Sequence, residues 1–357
     1  MIYLDNNAST PIDPFVVEAI KNELSNLINN PSSPHQFGQS AKARLDKARR
    51  IIADFFKVKP TEVIFTSSGT EAMNLLIQGL IANRKGHVVS SEMEHSCVYN
   101  LLKERSDLET TFVKPDCRGT ISVESVLNAV RPDTLLVALM AVNNETGTKT
   151  DISAIASKLK IPFVVDGVQW LGKEPIALPP NITGIGFSGH KIHAPGGIGF
   201  IIVKGKIASQ IRGGFQEFGK RVGTENMIGI SGLAKAIQRI EYPNQNMRDH
   251  FESVVLNALP DAKVNGANRV GTTSNICFPG IDGESLLIKL DQMGVAASLG
   301  SACSSGAIEP SRVLVSMGLS YNDAKSSLRF SFSRMNTLDD AIKAADIVIK
   351  AVQSFKK

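Results

Sequence analysis

Cysteine is scarce. The 357 residues hold four, Cys97, Cys117, Cys277 and Cys303, with no Cys-x-x-Cys pair. So sparse a set excludes a disulfide framework and points to a reducing compartment, so a cytoplasmic protein is expected. No apolar run approaches the ~18 residues of a membrane span, and no basic-then-apolar leader follows Met1, so no membrane partner is expected. Runs of one charge are also missing: the net charge is +5, from 39 Lys and Arg against 34 Asp and Glu, yet five basic residues never stand together. Direct nucleic-acid binding is therefore not expected, and the basic residues between Lys42 and Arg50 read as the solvated face of a helix. Internal repeats and low-complexity segments are absent as well.

What is present is ordinary in proportion, 43% hydrophobic and 20% charged, with enough length for two domains. From residue 62 the pattern alternates. Strands are expected at 63–66, 87–90, 110–114, 135–142, 162–165 and 185–187, with helices near 40–56, 67–83, 95–104, 123–130 and 152–160. Such alternation predicts an α/β chain with a mostly parallel sheet covered on both faces, its ligands gathering at the carboxyl ends of the strands. Beyond the hinge signal of Tyr242-Pro-Asn-Gln-Asn246 come helices at 247–259 and 284–293, strands at 273–278 and 327–332, and a last helix from Thr337. The expected division is a large domain of residues 15–245 and a smaller α+β domain made of 1–14 with 246–357.

The chain is organised around residues 184–200, Gly-Ile-Gly-Phe-Ser-Gly-His-Lys-Ile-His-Ala-Pro-Gly-Gly-Ile-Gly-Phe. A short apolar run delivers Ser188, His190 and Lys191 into a glycine-rich turn. Some twenty residues upstream another buried strand ends in Asp166, followed by Gln169. Alone, Lys191 would read as a solvated charge. Beside Asp166 at a neighbouring strand end it is what a pyridoxal phosphate enzyme needs: an amine for the Schiff base and an anion to hold the pyridinium protonated.

Other segments carry two readings each. Ser67-Ser-Gly-Thr-Glu71, opening a helix after a strand, is either a plain N-cap at Ser68 or a phosphate cradle. It has neither the Gly-Lys-Ser/Thr ending of a nucleotide loop nor the dinucleotide glycine pattern. His95 is a capping or core histidine, or an imidazole that stacks on a planar cofactor and moves protons. Asn143-Asn144-Glu145 is a tight turn or a set of ligand hydrogen bonds, and His35 packs in a loop or walls the site. His190-x-x-His193 does not read as a metal pair, because the glycines and Pro195 forbid the helix that would align it. Cys303, in the small-residue stretch Ser298-Leu-Gly-Ser-Ala-Cys-Ser-Ser-Gly306, reads as an exposed, reactive thiol on a mobile loop.

Together these segments resemble the cysteine desulfurases, fold-type-I pyridoxal phosphate enzymes of the class V aminotransferase group. The likeness runs over nearly the whole chain, through Tyr3-Leu-Asp-Asn-Asn, Thr66-Ser-Ser-Gly-Thr-Glu71, Glu94-His95, Val142-Asn-Asn-Glu145, Asp166 with Gln169, Ser188-Gly-His-Lys191, Arg221-x-Gly-Thr224, Ser301-Ala-Cys303 and Arg329-Phe-Ser331. The resemblance implies the fold-type-I architecture, with a seven-stranded type of sheet in the large domain. It also implies roles. Lys191 would hold pyridoxal 5'-phosphate covalently and Asp166 would pair with the ring nitrogen, while Gln169 and Asn144 would bond the ring-hydroxyl side. His95 would stack on the ring as an acid–base group, and Gly69, Thr70, Ser188 and His190 would bind the phosphate. Thr224 would be lent by the other subunit of a homodimer. Arg329 would clamp the carboxylate of L-cysteine, and Asn144 would also bind that substrate. Cys303 would take the sulfur as a persulfide and pass it to an acceptor protein, such as an iron–sulfur scaffold or a transfer-RNA thiolation protein; the loop pattern resembles the branch that serves those pathways. A selenocysteine lyase or another class V lyase is the alternative on the same scaffold. A non-catalytic binding protein of this fold would be colourless and indifferent to Lys191→Ala.

Overall fold

Apolar runs that close on polar residues become, in the computed structural model, the strands of one central sheet; the structure describes residues 1–26, 30–244, 246–300 and 309–355. In chain order the strands are β1 (Ile2–Tyr3), β2 (Val63–Thr66), β3 (Gly86–Ser91), β4 (Leu108–Val113), β5 (Thr134–Met140), β6 (Phe163–Asp166), β7 (Gly184–Ser188), β8 (Gly199–Val203), β9 (Lys263–Val264), β10 (Thr273–Cys277), β11 (Val295–Ala296) and β12 (Ser327–Ser331). Seven of them form the large sheet in the order β2-β8-β7-β6-β5-β3-β4. Only β8 runs against its neighbours; every other pair is parallel. β2, β3, β5, β6 and β7 therefore end on the same rim.

The sheet is covered on both faces, as the alternation predicts, and successive side chains divide between them. Phe65, Val165, Phe187 and Phe200 belong to one core, beneath α1 (Pro14–Leu24) and α2 (Gln36–Phe56). Ile64, Val164 and Ile201 belong to the other, beneath α3 (Gly69–Ile81) and α4 (Ser96–Glu104). Phe56 of α2 packs against both Phe187 and Phe200, with ring centroids 5.0 and 5.9 Å away. α3 lies directly on β7 because β7 carries glycine where a side chain would collide: a Cβ at Gly184 would meet Leu76 at 2.5 Å, and one at Gly186 would meet Met73 at 2.7 Å. That close approach sets where the N-terminus of α3 points.

A separate core joins Leu4 to residues between Met247 and Val352. It covers the antiparallel sheet β9-β10-β12 and the small parallel pair of β1 with β11. Residues 2–7 thus start the chain but pack with its last third, through an isolated bridge from Asp5 to Ser331. Among the described residues no helix is long and apolar enough to cross a membrane.

The differences from the expectation include two strands, the short helices Arg312–Ser316 and Tyr321–Lys325 where a loop is expected, and one helix start. β8 was not anticipated because it follows β7 after a glycine-rich return, where the sequence reads only as loop; β9 is two residues long. α2 begins four residues early because His35 is its N-cap, its Nδ1 accepting from Gly38 N at 3.2 Å. His35 is accordingly a helix cap and lines no part of the site described next.

Candidate active site

Five of the strands that end on the common rim hand polar groups to one cavity of about 540 Å³. From the end of β2 come Ser68, Gly69 and Thr70; from β3, Glu94 and His95; from β5, Asn144 and Glu145. Asp166 ends β6 with Gln169 just beyond, and Ser188, His190 and Lys191 follow from β7. Arg329 of β12 enters from the second unit with Asp5 and Asn7. Ten residues singled out from sequence, Gly69, Thr70, His95, Asn144, Asp166, Gln169, Ser188, His190, Lys191 and Arg329, thus share one enclosure. Thr224 does not join them; it is exposed on the segment 211–228. Cys303 lies outside the described residues; Gly300, the last described residue before it, lines the cavity.

Several open readings divide within the site. Ser68 does cap α3, its Oγ accepting from Glu71 N at 3.1 Å, but this leaves the first N–H groups of the helix, at Gly69 and Thr70, without a partner inside the helix, and both residues line the cavity. Asn143 makes the turn, its Oδ1 accepting from Glu145 N and Thr146 N at 2.9 Å each, and Asn144 is the neighbour that faces the cavity. His95 caps α4 through Nδ1, which accepts from Cys97 N at 3.2 Å, so Nε2 is the nitrogen left to carry the ring proton.

The electrostatics are those of a crowded, partly dry site. Lys191 Nζ donates to the carbonyl oxygens of Asn7 and Ala8, each at 2.6 Å, and to no carboxylate. Burial, and Arg329 after it, push its pKa down to about 8, against the opposing pull of Asp5 and Asp166. Burial raises Asp166, whose Oδ1 accepts from Val168 N at 2.9 Å and whose charge is felt by both His95 and Lys191. Burial lowers His95, and it holds His190, with help from Lys191, down to about 4, so both imidazoles are neutral at pH 7. Arg329 is held by Asp5 Oδ1 at 2.6 Å and by Asn144 O at 2.9 Å, with its Nε unpaired.

Sequence reasoning missed several contributors. Asp5 and Asn7 stood in the motif Tyr3-Leu-Asp-Asn-Asn without an assigned role, and Arg312, which donates to the carbonyls of Glu92 and Glu94, gave no local signal at all. Cys97 also lines the cavity, but burial beside the Asp166 and Glu94 carboxyls raises its thiol, which stays protonated. Glu94 is fully enclosed: its Oε1 accepts from Ser91 Oγ at 2.6 Å and Met140 N at 3.1 Å, and its Oε2 has no partner. Burial pushes it up to about 8. The folded chain thus binds a proton between pH 4.5 and 8 that the unfolded chain has lost, and stability from this group falls as pH rises through that window. Glu94→Gln, which cannot ionise, is expected to match the wild type in melting temperature near pH 5 and to exceed it near pH 8; parallel melting curves at both values would refute this.

The family model for aminotransferase class-V matches residues 2–343. The chain belongs to the class-V aminotransferases. Within that family it is 38% identical to a cysteine desulfurase of Nostoc sp. (strain PCC 7120), over 100% of this chain and 94% of the relative. It is also 38% identical to the cysteine desulfurase IscS of Methanosarcina thermophila, over 99% and 93% of the two chains. Among solved structures, one described as a NifS-like protein superposes with a TM-score of 0.90 at 29% identity, covering 99% of both chains. Another, described as SspA in complex with cysteine, gives 0.85 at 33% identity, covering 94% of this chain and 100% of that one.

Class-V aminotransferases depend on pyridoxal phosphate, and the cavity fits that group on its own evidence. The start of α3 has the form that suits a phosphate, since a Cβ at Gly69 would press into it, 2.9 Å from Val168 and 3.1 Å from Ser188. Ser188 Oγ is buried beside it with no hydrogen-bond partner among the described residues, a donor awaiting an acceptor. The buried Asp166 carboxylate likewise lacks a cationic hydrogen-bond partner of its own.

Proposed function

We propose that the protein is a cysteine desulfurase, which takes sulfur from L-cysteine, releases L-alanine and carries the sulfur on Cys303 to an acceptor protein. The observation that carries this reading is the shared enclosure of Lys191 and Asp166 with an anion cradle, and the desulfurases named above support the choice of reaction. When bound, the cofactor supplies an electron sink that makes the carbon–sulfur bond of cysteine labile.

The remaining chemistry belongs to the chain. The N–H groups of Gly69 and Thr70, Ser188 Oγ and His190 hold the phosphate. Asp166 keeps the ring nitrogen protonated, Gln169 and Asn144 bond the ring-hydroxyl side, and Lys191 is the covalent anchor. Arg329 exchanges Asp5 for the carboxylate of cysteine, and Lys191 and His95, both with depressed pKa values, move protons at the substrate carbons. The thiolate of Cys303 attacks the substrate sulfur. The substrate carbon–sulfur bond breaks, a sulfur–sulfur bond forms, and protonation of the carbon completes alanine, so cysteine and one thiol become alanine and one persulfide. Cys97 is unsuited to that attack because its buried thiol resists ionisation.

Further parts of the reading have their own support. A homodimer accounts for Phe215, 82% exposed, and for Ile211, Phe218 and Phe37 exposed with it. It also gives Thr224 a phosphate to reach in the other subunit; sedimentation as a monomer would sink this part. The large domain of 15–245 and the small one of 1–14 with 246–357 agree with the separate core around Phe251 and Phe330; limited proteolysis that spares 241–246 and cuts elsewhere would count against the boundary. The acceptor is an iron–sulfur scaffold or a transfer-RNA thiolation protein, and the setting is cytoplasmic, in keeping with free Cys97, Cys117 and Cys277; a pull-down from cytoplasm that recovers neither kind of acceptor contradicts it.

The test is mass analysis after the cofactor-loaded protein meets L-cysteine. One added sulfur on the Cys303 peptide, with alanine released, is expected. Cys303→Ala should still change the cofactor's absorption on adding cysteine but retain no sulfur. Sulfur on another cysteine, or none on any, overturns the proposal.

A further inference from the structure

Lys173 is a buried lysine with no carboxylate beside it, 6% exposed and four residues after Gln169 in the turns that follow β6. Its Nζ donates to two carboxamide oxygens, Asn7 Oδ1 and Gln169 Oε1. Burial, with Lys191 and Arg329 adding to it, holds the amine far below the usual lysine range. Two of its N–H groups are thus engaged, each by a carboxamide oxygen.

The rest of the network follows from those two bonds. Carboxamides can present either end to a neighbour, and a donor fixed at one end decides which. With Oε1 turned to Lys173, Gln169 directs Nε2 away, and one of its N–H groups meets Asn7 O at 2.9 Å. The second N–H is left for the cavity that Gln169 lines. With Oδ1 likewise turned to Lys173, Asn7 spends Nδ2 on Asn144 O and Thr273 Oγ1, both at 3.0 Å. The Asn7 carbonyl, so anchored, is the one that receives Lys191 Nζ.

We infer that Lys173 is a positioning residue, which locks the Gln169 and Asn7 carboxamides so that Gln169 can offer the cofactor's ring oxygen only a donor. The inference rests on the cofactor-binding reading proposed above. A ring oxygen that carries negative charge is stabilised by that donor, and Lys173 adds to the Asn7 carbonyl's hold on the same orientation of Gln169.

The test is a double-mutant cycle with Lys173→Met, which keeps the length and removes the donors, and Gln169→Leu. Cofactor affinity is read from the fluorescence of Trp170, the chain's one tryptophan and the neighbour of Gln169. The charge state at the ring is read from the pH midpoint of the visible absorption band. Each single variant is expected to weaken cofactor binding and raise that midpoint by about one pH unit, the scale of one charge-assisted hydrogen bond. The double variant should go no further than either single one. Additive effects, or a Lys173→Met protein with wild-type affinity and midpoint, overturn the inference. Should Lys173→Met not fold, Lys173→Gln takes its place in the same cycle. A wild-type protein that develops no visible band with pyridoxal phosphate refutes the reading of the site itself, a result distinct from either.

Discussion

Lys191→Ala is expected to lose covalent cofactor attachment and to lower kcat by about 10³-fold or more, while the protein still folds. The geometry explains why so much rests on one amine. Its Nζ is held by two backbone carbonyls, which orient it without neutralising it as an ion pair would. With a pKa of about 8, roughly a quarter of the amines are uncharged at pH 7.5, against about one in a thousand for an ordinary lysine. An uncharged amine can attack an aldehyde; an ammonium cannot. Lys191→Arg separates the two properties, since it keeps a cation near Asp166 and offers no nucleophile. Borohydride treatment followed by mass analysis should trap the cofactor on the wild-type peptide and on neither variant. Trapping at another lysine, Lys173 included, would contradict the assignment.

The residues that could be read from sequence and those that could not differ in a physical way. Lys191, Asp166, His95 and Asn144 each follow an apolar strand within a few positions, and a parallel sheet carries all such positions to one rim. Local pattern was therefore enough to find them. Asn7 and Arg312 join the site only through contacts made across more than a hundred residues of chain, with Asn144, Gln169 and Lys191 in one case and with the Glu92–Glu94 turn in the other. Lys173 and Glu94 had a different difficulty. Both are ionisable residues in buried positions, and a sequence does not record that a lysine's partners will be two amides. The antiparallel β8 was missed because glycine dominates its approach, although its residues alternate cleanly between the two cores once the sheet is known.

Asp166→Asn is expected to reduce kcat/KM by about 10²- to 10⁴-fold, with the apoprotein no less stable than the wild type. The carboxamide keeps the shape and can still accept from Val168 N, so the fold does not depend on the charge. Without cofactor that charge is a burden: burial raises the carboxyl of Asp166, which sets its contribution to stability falling as pH rises past the ordinary carboxylate range. A protonated ring nitrogen beside it reverses the balance, because a buried anion with a hydrogen-bonded cation is far better placed than one alone. Adding cofactor should accordingly raise the melting temperature of the wild type by more than that of Asp166→Asn, the difference between the two increments reporting this one contact. If both proteins gain equally while activity still falls, Asp166 acts on the reaction without holding the ring nitrogen, and the orientation assigned to the cofactor is wrong.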